Sequence, residues 1–359
     1  MPKCFTIGVP LRQLYTHMKT SPIKPAEGNS SRFSALLNEG IALRILFIVT
    51  FVFVFIFHTY PLGLSDFWWH MNTGRWIWEN GGLPVDDPFL YSSTSPLDVR
   101  ASQILRGYPL FQLIIFGAYT LAGAYALVVL KGLLMTLFYG LLWNHLRRNG
   151  MHSTLALAIV GTLPLLFFRF DDFRPQVFTL IFTLLVLQLV ESILANERRG
   201  IATKWPVLMM LPLIMLLWAN LHGGFIIGMA ILLVYGMAEW IAHRRRSDAL
   251  SEEAYRRFMK LAVFSLATAL FNPAGISAIW SIFTVVSGPF AKVIDEFLGT
   301  IRYFEFHGVK HIGYLIVATA AVPAITLFYN WRKLSIPHLL LSILFLAAGI
   351  LSFRFSLLM

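Results

Sequence analysis

Asp66 and His70 are four residues apart, so a helix through them puts a carboxylate and an imidazole on one face, one turn from each other. A carboxylate so placed can serve as a general base, and the imidazole can hold it or contact an anion. The two open a 24-residue stretch, Asp66 to Phe89, that also holds Arg75, Asp86, Asp87 and four tryptophans, Trp68, Trp69, Trp76 and Trp78. Tryptophan suits the lipid–water boundary, where its body is in lipid and its N–H is wet. Ionisable groups need water or one another. The stretch reads as a polar cluster held at a membrane surface by aromatic anchors. Elsewhere in the chain, Arg106, Arg174 and His222 add groups suited to an anion such as a phosphate. Asp86-Asp87-Pro88 offers hard oxygen ligands that, with Asp66 or His70, suit Mg²⁺ or Mn²⁺.

Each of these residues also has a plainer reading. Asp66 can cap the helix that begins there, a role compatible with catalysis. Arg174 lies in Asp171-Asp172-Phe173-Arg174, where an ion pair with the aspartates is as natural as a ligand contact. Arg75 and Arg106 can snorkel to the interface. His222, between Asn220 and Gly223-Gly224, fits a tight turn between helices. Asp-Pro is an ordinary turn signal. His307 and His311 with Glu305 have the spacing of a zinc pair, but Gly308 between them argues against the helix such a site needs.

The elements that must position these residues are membrane helices. The chain has 359 residues, of which 57% are hydrophobic and 13% charged, with a mean hydropathy of +0.68. Soluble domains average about 25% charged residues. Nine apolar runs predict transmembrane helices over 41–60, 123–145, 153–169, 176–194, 205–220, 223–243, 258–279, 311–330 and 336–353. Segments 1–40, 145–152, 195–204, 243–260 and 330–335 hold 18 Lys/Arg, and the alternate set holds 9 together with 10 of the 18 acids. The positive-inside bias makes the first set cytoplasmic. It also accounts for the net charge of +11 without a nucleic-acid partner.

Residues 107–121 are apolar but short. Counting them as a full span would carry Arg147-Arg148 outside, so they are expected as a helix lying in the outer interface. The outer loop 61–122 then carries two surface helices, the first stopped by Gly81-Gly82 and Pro84. The expected organisation is a cytoplasmic segment 1–40, partly disordered and without a signal peptide, a helical membrane domain 41–353, and a short tip 354–359. Cys4 is the one cysteine, so intramolecular disulfides and a cysteine-built metal site are excluded. No G-x-x-x-x-G-K-[ST] or G-x-G-x-x-G phosphate loop occurs, so ATP-driven transport has no support.

Four motifs carry a resemblance. They are the D-x-W-W-H…G-R…G-x-x-P-x-x-D-P-F pattern from Asp66 to Phe89, Arg174-Pro175-Gln176, Trp218-Ala219-Asn220-Leu221-His222-Gly223-Gly224, and Asn272-Pro273-Ala274-Gly275. With a first-loop aspartate and a many-helix body, the chain resembles the GT-C superfamily of integral-membrane glycosyltransferases over residues 41–353. It is most similar to uncharacterised bacterial members. The resemblance implies an all-α polytopic fold in a bacterial inner membrane, with the N-terminus cytoplasmic. It also implies transfer of a sugar from a polyprenyl-phosphate carrier to a lipid or glycan acceptor at the outer face. Asp66 would then be the base, assisted by His70. Arg174, His222, Arg75 and Arg106 would be the candidates for the donor phosphate, and Asp86 and Asp87 for acceptor hydroxyls or a divalent metal.

Two other readings compete. A lipid or sugar transporter, such as a flippase, would place ionisable groups near mid-membrane. Here Lys131 and Glu239 are the main ones, and the polar residues crowd the outer side instead. A non-catalytic subunit of a membrane complex is the third.

Overall fold

A computed structural model describes residues 40–60, 62, 65–90, 97, 99–166, 173–245, 250–276, 278–280, 284, 299–306, 308–332 and 334–351. The expected segments 1–39 and 354–359 lie outside the described residues, as do Asp171, Asp172, His307 and the side chains of Asp66 and His311. Among the described residues the chain is all helical, with no strand. The helices are α1 (Ile41–Phe57), α2 (Ser65–Asn80), α3 (Val99–Arg106), α4 (Pro109–Arg148), α5 (Ser153–Leu166) and α6 (Gln176–Arg198). They continue with α7 (Trp205–Leu221), α8 (Phe225–Arg245), α9 (Glu252–Thr268), α10 (Thr300–Phe306), α11 (Lys310–Asn330) and α12 (Ile336–Leu351).

By length and composition α4, α6 and α8 are able to cross a membrane. Shorter apolar helices cover Ile41–Phe57, Ser153–Leu165, Trp205–Leu221, Ala320–Asn330 and Ile336–Ile350. A 17-residue helix is about 25 Å long, a little under a hydrocarbon core of about 30 Å. The chain is thus a helical membrane protein.

Several boundaries shift by a few residues, α6 running on to Arg198, and three differences have a clear local reason. α1 ends at Phe57 rather than at residue 60. Pro61 follows, and a residue before proline is pushed out of the α region. α4 runs from Pro109 through the expected interfacial segment into the expected span, but its backbone breaks between them. Ala122 (φ −152°) and Gly123 (φ 61°, ψ −148°) leave helical geometry there. The halves 109–121 and 124–148 are two helices in contact end to end. Finally, the expected span 258–279 is not one helix. α9 begins earlier, capped by the Ser251 hydroxyl, which accepts from Ala254 N–H, and it stops at Thr268. Asn272-Pro273 then turns the chain. Asn272 Oδ1 accepts from Ala274 N–H at 2.8 Å, and Gly275 adopts φ 55°.

α6 is the centre of the packing, in contact with α4, α7 and α8. It buries residues on every side, including Val177, Ile181, Val186, Val190 and Leu194, as an all-round apolar helix must. Lipid is as apolar as leucine, so helices in it are held by close contact and hydrogen bonds rather than by escape from water. Small residues supply the closeness. Gly74 of α2 lies against the Gln112 carbonyl of α4, and Gly228 of α8 against Trp218 and Met215 of α7.

Hydrogen bonds supply the rest at the arginine-rich end of the bundle. Asn144 of α4 donates to Gln188 of α6 at 2.5 Å, and Gln188 donates to the Leu141 carbonyl at 3.1 Å. Glu191 Oε1 meets the Tyr235 hydroxyl of α8 at 3.3 Å and His338 Nε2 of α12 at 3.1 Å. Arg198 pairs with Glu239, which is 3% exposed. Separately, just past the C-terminal end of α1, the Tyr60 carbonyl accepts from Lys131 (2% exposed) at 3.3 Å, and the ammonium stands 3.6 Å over the Tyr60 ring.

Candidate functional site

α2 brings the first motif to the body of the bundle. It begins at Ser65, and Gly81 (φ 68°) stops it after Asn80. Phe67, His70, Thr73 and Gly74 form its buried face. Gly74 sets the depth: a Cβ there would stand 2.0 Å from the Gln112 carbonyl oxygen, so no other residue allows this approach. Asp66 lies in the first turn, one turn before His70, as the spacing requires. Its carboxylate is outside the described residues.

His70 is buried against Tyr108 (ring centroids 5.7 Å) and Phe111 (5.4 Å). Its Nδ1 lies 3.4 Å from Gln112 Nε2. Gln112 is fully buried, and its amide nitrogen donates to the Ile104 carbonyl at 2.7 Å. That bond fixes the amide's orientation, because a flip would set two oxygens against each other. Gln112 Oε1 is left buried without a hydrogen bond among the described residues.

The third motif ends α7 at the same place. His222 N–H closes the last turn on the Trp218 carbonyl at 2.9 Å. The His222 ring then stands 5.5 Å from Tyr108, so the Tyr108 ring contacts the imidazoles of both His70 and His222. His222 Nδ1 is 2.6 Å from Thr179 Oγ1 of α6 and accepts from Gly224 N–H at 3.1 Å. Thr179 Oγ1 in turn accepts from the Trp218 indole N–H at 3.1 Å. Gly224 is obligatory, since a Cβ would lie 2.0 Å from Thr179 Oγ1 and 2.9 Å from His222 Nδ1.

The remaining motifs close the ring of contacts. Asn272 Nδ2 donates to the Ala219 carbonyl at 2.7 Å and to the Gly107 carbonyl at 3.2 Å. Asn220 Nδ2 donates to the Phe271 carbonyl at 2.9 Å. Phe173 stacks on Phe67 at 5.7 Å and meets Phe111 edge-on at 5.9 Å, which carries Arg174 to this end of α6. Arg174 is half-buried, with Nε out of solvent. Arg106, also half-buried, ends α3 two residues before Tyr108.

Three other sequence candidates have the following surroundings. Arg75 is on the outward face of α2 and pairs with Glu79 at 2.8 Å, the two side chains 64% and 52% exposed. That pair holds the guanidinium above its ordinary value, through the hydrogen bond and charge of Glu79. Asp87 Oδ1 accepts from Phe89 N–H at 2.8 Å and Leu90 N–H at 3.2 Å, the turn role that Asp-Pro predicts. Asp86 is exposed. These two carboxylates alone offer too few oxygens for Mg²⁺ or Mn²⁺, and no group of three His, Cys, Asp or Glu among the described residues is placed to hold a metal.

Tyr108, Gln112 and Thr179 were not among the sequence candidates. Their signals were faint. Tyr108 precedes a helix-starting proline, Gln112 is the one amide in the apolar run 107–121, and Thr179 is a hydroxyl in a span. Comparison with models of known families, with curated proteins and with solved structures returns no match to this chain.

Proposed function

We propose that this chain is a glycosyltransferase moving a sugar from a polyprenyl-phosphate carrier to a lipid or glycan acceptor at the outer face of a cell membrane, with Asp66 as general base. One observation supports the reading above all. Four motifs separated by up to two hundred residues meet at one end of the bundle, around an aromatic ring that contacts two imidazoles. Packing alone does not call for so many polar side chains at one helix end. The competing transporter reading draws on Lys131 and Glu239, but Lys131 bonds to the Tyr60 carbonyl and Glu239 pairs with Arg198, both contacts within the helical body.

In the reaction, Asp66 takes the acceptor hydroxyl proton as the oxygen attacks the anomeric carbon. The bond from that carbon to the phosphate oxygen breaks on the far side, and its electron pair leaves with the polyprenyl phosphate. The anomeric configuration inverts. A phosphate leaving group is a weak base, so it needs hydrogen-bond donors and positive charge more than it needs an acid. Arg174 and His222 are the groups nearest that task, with Arg106 behind them. Arg75 suits an interfacial anchor better. Tyr108 offers a ring for a sugar face.

The direct test is the purified chain in lipid vesicles with polyprenyl-phosphate sugars of several kinds. Release of polyprenyl phosphate that depends on an acceptor supports the reading, and no release with any donor while the vesicles hold folded protein removes it. Arg174→Ala should cut donor use by about 10- to 100-fold, the value of a charge-assisted hydrogen bond to phosphate, and acceptor KM should change little. Equal effects on both substrates return Arg174 to a structural role. The outer location is tested by labelling. In a Cys4→Ser background, cysteine at Ser93 should react with an impermeant reagent from outside and cysteine at Ser247 from the cytoplasm only. The reverse pattern would put the proposed site on the wrong side for this chemistry.

A further inference from the structure

The hydrogen bonds around His222 fix more than its position. A threonine hydroxyl has one proton. Thr179 Oγ1 already accepts from the Trp218 indole, which has no lone pair to give, at 3.1 Å. Its own proton is therefore free to point at His222 Nδ1, 2.6 Å away. Gly224 N–H, which can only donate, approaches the same nitrogen at 3.1 Å. Two donors converge on Nδ1, so Nδ1 carries no proton and the ring proton is on Nε2. Adding a second proton to make imidazolium would set N–H against the Gly224 N–H and force the Thr179 hydroxyl to turn. All parts of this relay are buried: Trp218 is 0%, Thr179 7% and His222 8% exposed.

We infer that Thr179 is a positioning residue that holds His222 as a neutral Nε2–H donor. Within the transferase reading, on which this role rests, His222 serves an oxygen on which negative charge develops. It does so without being a cation and without moving a proton. The relay explains why the turn is Trp-Ala-Asn-Leu-His-Gly-Gly: the tryptophan primes the threonine, the histidine is the output, and the second glycine both donates and leaves room for Thr179. A neutral imidazole used as a donor is a known catalytic device where protonation is opposed locally.

The test has a spectroscopic arm and a kinetic arm. The full chain, labelled with ¹⁵N-histidine and held in lipid nanodiscs, should show one histidine with an unprotonated Nδ1 and a protonated Nε2 throughout about pH 5–8. His222→Gln assigns it by loss of the signal. If that variant does not accumulate, the Thr179 variants assign it by perturbation. Thr179→Ser keeps the hydroxyl and should keep the tautomer. Thr179→Val keeps the shape and should let His222 exchange between tautomers and titrate. In turnover, Thr179→Ser should stay within about threefold of the parent, and Thr179→Val should lose about tenfold in kcat with a new pH dependence in the imidazole range. A protonated Nδ1 in the parent chain, or a Thr179→Val variant whose histidine spectrum and pH profile are unchanged, overturns the inference. The spectroscopic arm needs no sugar donor. Failure of transfer with the tautomer intact therefore removes the enzyme reading alone, and failure of the tautomer removes this inference alone.

Discussion

Asp66→Asn should lower turnover by about 10²- to 10⁴-fold, the usual contribution of a positioned general base, while folded protein still accumulates in the membrane. The amide matches the carboxylate in size and leaves the first turn of α2, which starts at Ser65, in place. It has no basic lone pair for the acceptor proton. Asp66 stands one turn before His70, whose ring is locked against Tyr108 and Phe111, so the residue is carried on a well-fixed element. A small external carboxylate such as formate should recover part of the lost rate in the Asn variant, because it can replace the missing base. Normal turnover by the variant would rule Asp66 out as the base.

The largest structural effect should come from a single methyl group. Gly74→Ala puts a Cβ 2.0 Å from a backbone oxygen, which no rotamer change can move. Alanine is the better helix former by about 0.5–1 kcal/mol, so on propensity alone the change would stabilise. Overpacking of a close contact costs about 1–3 kcal/mol, and here the burden falls on two helix backbones. Gly74→Ala should therefore lower the Tm in detergent and separate α2 from α4, moving His70 away from Tyr108 and cutting turnover with it. Gly117→Ala is the counterpart. Gly117 is also in α4, with nothing within 4 Å of its Cβ position, so that change should be neutral or raise the Tm. Equal Tm values for the two variants would mean that the α2–α4 approach is looser than described.

Much of the architecture was legible because membrane helices announce themselves by apolar length. The break between the interfacial run and the following span was legible too, since the charge pattern required residues 107–121 to be separate and Gly123 supplied the conformation. The expected span 258–279 shows the opposite case. The apolar run continues past Asn272-Pro273, but proline overrides hydropathy, and the helix stops at Thr268. His70 and His222, each inside a sequence motif, both meet the Tyr108 ring. Thr179 and Gln112 were not legible, because one small polar group in an apolar run is the ordinary content of a span. Their importance appears only when α2, α6 and α7 are brought together. Glu191 was passed over for the same reason, and its partners Tyr235 and His338 lie on helices far along the chain.

Asn272 also sets an order of events during synthesis. Its side chain bonds to carbonyls of residues 165 and 53 positions earlier. At ribosomal rates of about 5–20 residues per second, Gly107 waits roughly ten to thirty seconds for that partner to be made. Until then the ends of α3 and α7 have nothing from this side chain to join them, and the constellation around Tyr108 is unfinished. A nascent chain is thus inert in this respect for most of its elongation. The contacts that Asn272 makes with the ends of α3 and α7 are therefore among the last to be completed around Tyr108.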